Sequence, residues 1–316
     1  MKEIVFQPKY ERALGSVLTL FPLVLAALVM EPYGLTMAAC LAALWWPMER
    51  AGLRLVGPVL ILLQDIALRH GNAQGIVAAL LCVALVGEGL LLYAQRGTSH
   101  AIRLLGEKAR APLALYAGLS LGAALMMALY QGSGYFAVGA SGVGVLELLR
   151  SYRGLGFHPN WRTVLFSTIM LVILITWPRK FKRLSRTLPA GFVGLVAVTA
   201  LNFALNPDPL RSTVAEFPVG WLPFFHRVPV SALSMLLIFA AWEEVPWARV
   251  RACFLSPARQ AVPMAVIAAA MCGFDLLWVL AALALVWDGV CVGRFVMRRR
   301  EGTPLSLRDI PPTGGF

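Results

Sequence analysis

Ionisable and metal-ligating residues are scarce in this chain, and each shortage removes a class of function. Charged residues make up only 14% of its 316 positions, and the four histidines, His70, His100, His158 and His226, are scattered. Neither H-E-x-x-H nor G-x-S-x-G occurs, and no two carboxylates stand at helical spacing inside an apolar run, so no enzyme constellation is expected. The five cysteines, Cys40, Cys82, Cys253, Cys272 and Cys291, form no C-x-x-C pair. All but one fall inside apolar runs, where a thiol behaves as a small hydrophobe. Neither a disulfide framework nor a metal or cofactor site is expected.

What the chain has in abundance is apolar surface: 59% hydrophobic residues and a mean hydropathy of +0.73, beyond ordinary soluble domains. This composition predicts an all-α polytopic membrane protein, with the lipid bilayer as its surroundings. Apolar runs that can enter the bilayer are Ala13–Met30, Pro32–Trp46, Leu55–Ala67, Ile76–Tyr93 and Pro112–Tyr130. Five more follow at Thr163–Trp177, Pro189–Leu205, Val230–Trp242, Ala261–Phe274 and Leu276–Val296. About ten segments place both termini on one side. All the Lys and Arg then fall on that side except Arg69, Arg150, Arg153, Arg162, Arg211 and Arg227, which assigns both termini to the cytoplasm of a cell inner membrane. The net charge of +12 is read as this flanking charge and not as a nucleic-acid surface. Trp45, Trp46, Trp161, Trp177 and Trp242 fit interfacial anchoring.

Two stretches resist a simple spanning assignment. Gln131–Trp161, Gly-rich and then amphipathic in "VLELLRSYRGLGF", is expected to be an outer loop carrying a short interfacial helix. Asn206–Val228, with four prolines, is expected to be a stiff extended connection. The tail after Val296 is too short for a further domain, so residues 1–316 are taken as one membrane domain.

The segment "RLVGPVLILLQD", Arg54–Asp65, raises a length problem. Only about ten helical residues follow Gly57, a rise of about 15 Å against a hydrocarbon core of about 30 Å. A helix starting at Pro58, where the missing N–H is no loss, with an extended entry through Gly52–Gly57, makes up one crossing. The N–H groups of Val59, Leu60 and Ile61 then face mid-membrane, and such a helix end attracts anions. The other reading is one continuous helix from Trp46 to Ala67, kinked at Pro58.

Pro32-Tyr33-Gly34-Leu35 and Val56-Gly57-Pro58, followed by "WPRKFKRLSRTLP" (Trp177–Pro189), "EFPVGWLPF" (Glu216–Phe224) and Val245–Leu277, resemble, in order, elements of the sulfate permease (SulP) family of anion transporters. The resemblance implies a 7+7 inverted-repeat transporter fold, here truncated. Residues 13–93 would be partial core-like helices, 112–205 and 230–296 gate-like helices, and 297–316 a short cytoplasmic tail. Counterparts of the family's helices 8 to 11 and of its C-terminal cytoplasmic domain are missing, and Leu23 stands where the family has a polar residue. The implied anion site is the half-helix start at Gly57, Pro58, Val59, Leu60 and Ile61.

Ionisable groups inside spans are functional candidates by default. Glu88 is the candidate coupling carboxylate, although it lies close enough to Tyr93 to reach the interface. Gln64 and Asp65 close the short helix near the outer surface and are expected to be solvated. Asp275 is expected in an outer turn, and Asp288 at a helix interface. Two functions remain open. One is a SulP-like transporter, or transporter subunit, for a small inorganic anion of the sulfate or bicarbonate type, completed by a homodimer or other membrane subunits. The other is a non-transporting scaffold in a membrane complex.

Overall fold

A computed structural model of the chain describes residues 8–29, 59–63, 65, 113–138, 145–154, 158–206, 227–255, 260–274 and 297. The described residues are mostly helical: α1 (Pro8–Val29), α2 (Leu113–Phe136), α3 (Val145–Gly154), α4 (Trp161–Lys180), α5 (Ala190–Leu205), α6 (Val230–Glu243), α7 (Trp247–Phe254) and α8 (Val262–Phe274). A short helical run at 59–63, with Asp65 also helical, lies between α1 and α2. The segments expected at Pro32–Trp46, Ile76–Tyr93 and Leu276–Val296, with Asp275 and Asp288, lie outside the described residues.

By length and composition α2 and α4 are each able to cross a membrane, and α6 and α7 qualify together as one span bent by 53°. At 1.5 Å per residue α2 is about 36 Å long and α4 about 30 Å. Their surroundings differ. In α2, 67% of the apolar window is buried against other helices, and in α4 only 28%. Thus α2 is the central post, while α4 turns Leu165 and Val172 outward. α6 is buried without a break from Ser231 to Leu237, as expected of a helix that is apolar all round.

Helix contacts rest on small residues, as in membrane bundles, where close packing replaces the hydrophobic drive between helices. A Cβ on Gly118 of α2 would sit 2.9 Å from the Met264 carbonyl oxygen and the Ile267 Cβ of α8. Gly134, near the other end of α2, faces Ser234 in the first turns of α6. Thus α2 runs parallel to α8 and antiparallel to α6. The Tyr135 and Thr168 hydroxyls, 3.3 Å apart, make α4 antiparallel to α2 as well. The basic residues Arg179, Lys180, Lys182, Arg183 and Arg186 gather in the turn from α4 to α5. There the Trp177 indole N–H donates to the Leu188 carbonyl at 2.9 Å, and the Trp177 ring packs on Phe181.

Element boundaries depart from the expectations in informative places. α1 already includes Pro8–Arg12, ahead of the run expected from Ala13. α4 passes through Pro178 to Lys180, since one missing N–H near a helix end is tolerated. The expected loop at Gln131–Trp161 is corrected at its start: α2 continues through Gln131, Gly132, Ser133 and Gly134 to Phe136. It ends in a Schellman motif. Ala137 has φ 51°, the Val138 N–H donates to the Ser133 carbonyl at 3.0 Å, and the Ala137 N–H to that of Gly134 at 3.4 Å. The amphipathic helix expected in that stretch is α3, which buries Val145 and Leu148. α7 is a helix that the list of apolar runs did not contain.

Candidate functional site

Three helical elements meet in a polar bridge. The Gln131 side-chain amide of α2 donates to Asp65 Oδ2 at 3.4 Å, and its carbonyl oxygen accepts from the Ser234 hydroxyl of α6 at 3.2 Å. Asp65 is 8% exposed and Ser234 3%. Gly134, one turn beyond Gln131, makes room for Ser234: a Cβ there would clash with the serine hydroxyl. The expectation that Asp65 is solvated is therefore corrected. Asp65 is buried, and because α2 stays helical past Tyr130, Gln131 reaches its carboxylate from that helix. One partner of this buried carboxylate is thus a side-chain amide from another helix, and an ionisable group inside an apolar run is a functional candidate.

Among the residues singled out from the sequence, Val59, Leu60 and Ile61 are helical and buried, at 1%, 0% and 0% exposure. They join the main core with residues of α2, α4 and α6. An anion would reach their N–H groups only after this packing opens. Gly57, Pro58 and Glu88 lie outside the described residues, and with them the choice between a helix start at Pro58 and a kinked helix.

Leu23 is buried on α1 beside Pro22. Both line a cavity of about 270 Å³, with Leu174 and Pro178 of α4 and with Glu243 and Glu244 at the basic end of the bundle. Pro22 and Pro178 each remove a backbone donor where the cavity forms, and both helices continue through the proline. At the opposite end, the Arg227 guanidinium donates to the Asn206 carbonyl at 2.6 Å, the C-cap of α5, where a cation is favoured. The buried Asn202 amide donates to the Arg227 carbonyl at 2.9 Å and fixes that cap. Among the described residues no three His, Cys, Asp or Glu side chains are grouped to hold a metal.

Gln131 and Ser234 were missed from sequence. Gln131 opens "QGSGYF", which reads as a loop by its glycines, yet glycine is frequent in membrane helices and marks close helix approach. That rule was the available signal. Ser234 lies inside a mostly apolar helix and gives no sign of its partner 103 positions away. No family model, curated protein or solved structure matches this chain.

Proposed function

We propose that this chain is a SulP-like permease of the inner membrane, or the permease subunit of a larger assembly, moving a small inorganic anion of the sulfate or bicarbonate type. The observation that carries the reading is the buried Asp65, joined through Gln131 to Ser234, on the run that would also present the anion's donors. With a helix starting at Pro58, the N–H groups of Val59–Ile61 lie about 6–9 Å along the axis from Asp65. A carboxylate that close to a bound anion makes Asp65 the candidate coupling group of this reading, in which anion and proton travel together and uptake quickens as the donor side is acidified. The sealed packing of Val59–Ile61 suits a closed state, opened by movement of one group of helices against the other. A homodimer or further membrane subunits would complete the core.

The test is flux. The purified chain in liposomes takes up sulfate, bicarbonate or chloride, and Gly57→Leu, which obstructs the half-helix entry, abolishes uptake while the protein stays monodisperse. If none of the three anions moves, the transport reading fails. The scaffold reading would then stand; it is favoured by Leu23, an apolar side chain buried where the resembled family has a polar one. It expects stable membrane subunits to co-purify with the chain.

A further inference from the structure

At the end of the bundle where α2 stops and α4 begins lies a second cavity, of about 380 Å³, between α2 and the amphipathic helix α3. Its walls are apolar: Ala128, Leu129 and Phe136 from α2, and Leu149 from α3, with Tyr152 closing one side and Arg153 at the rim. Gly132 keeps it open, because a Cβ there would press on the Tyr152 hydroxyl at 3.2 Å. It is a groove open along one side with apolar walls, which suits a length of acyl chain laid against Leu129 and Leu149.

The outer face of α3 has the matching character. Leu146 and Leu149 are exposed, at 61% and 45%, and Arg150 and Arg153 are exposed on the same i, i+3, i+4, i+7 stripe. Next to it, α4 opens with Trp161, 75% exposed, and Arg162. A face that mixes leucine, tryptophan and arginine, rooted by Val145 and Leu148 on its buried side, is that of a helix lying in a membrane interface. Arginine binds phosphate through paired N–H donors. We infer that the α2–α3 cleft is a binding site for an anionic phospholipid, one acyl chain running between Leu129 and Leu149 and the phosphate held by Arg153 with Arg150. The inference rests on the membrane reading of α2 and α4 and is independent of transport.

Native mass spectrometry of the full chain, exchanged from mild detergent into mixed micelles of phosphatidylglycerol and phosphatidylcholine, tests it. The expected result is retained phosphatidylglycerol, at least fivefold over phosphatidylcholine. Retention should fall to the phosphatidylcholine level in R150Q/R153Q, whose exposed positions leave the fold intact. Ala128→Leu, which fills the cleft without touching the arginines, should lower retention of both lipids. Equal retention of the two lipids by the native chain, or undiminished phosphatidylglycerol in R150Q/R153Q, overturns the proposal. So does a dimer that R150Q/R153Q dissociates, which would assign the face to a second copy of the chain.

Discussion

The polar bridge makes a quantitative prediction through Gly134. Adding a methyl in Gly134→Ala presses carbon inside contact distance of the Ser234 hydroxyl and leaves the Ser234 Cβ 3.2 Å away. The hydroxyl must rotate and give up its bond to Gln131, a loss of about 0.5–1.5 kcal/mol. Pushing α2 and α6 apart by a few tenths of an ångström brings the overpacking cost to about 1–3 kcal/mol. Against this, alanine gains about 0.5–1 kcal/mol over glycine inside a helix, so the net destabilisation is about 1 kcal/mol. In a Ser234→Ala background the obstructing oxygen is gone, and Gly134→Ala becomes close to neutral. Reversible unfolding in bicelles, across the four proteins of a double-mutant cycle, should give a coupling of about 1 kcal/mol. Coupling below about 0.3 kcal/mol, or a Gly134→Ala chain as stable as the native one with Ser234 present, refutes this description of the α2–α6 contact.

Further predictions follow from single contacts. The Asn160 side chain accepts from the Arg162 N–H at 3.1 Å and caps α4, so Asn160→Ala should cost about 1 kcal/mol in the same unfolding measurement. Ala137 occupies a left-handed conformation, φ 51°, so Ala137→Gly should stabilise by up to about 1 kcal/mol, whereas Ala137→Val should destabilise. Trp177→Phe removes the donor to Leu188, and limited trypsin digestion should then cut faster at Arg179–Arg186 than in the native chain. Gly118→Leu drives a side chain against the Met264 carbonyl oxygen and should detach α8 from α2, seen as a lowered melting temperature.

Much of the helical layout was legible because hydropathy and punctuation agree locally. Pro189 and Asn206 frame α5, and Pro229 precedes α6 as an N-cap, so these boundaries came within a residue or two. Where the reading slipped, two rules competed. In "QGSGYF" the glycines argued for a loop, while the need to pair every backbone group in an apolar setting argued for continuing the helix, and the second prevailed. Position along a short helix suggested that Asp65 reaches solvent, but burial is set by what packs over a residue. One such neighbour here is Gln131, 66 positions away, a relation without periodicity to betray it. The cavity around Leu23 is of the same kind, since its walls come from α1, α4, α5 and α6.

The most direct test of the transport reading with Asp65 as its coupling group is anion uptake into proteoliposomes with and without an inward proton gradient, for the native chain and Asp65→Asn. The account predicts uptake of sulfate, bicarbonate or chloride by the native chain, accelerated by external acid, and loss of that acceleration in Asp65→Asn with the bundle still folded. No movement of any anion, or the same acid stimulation in both proteins, would contradict it.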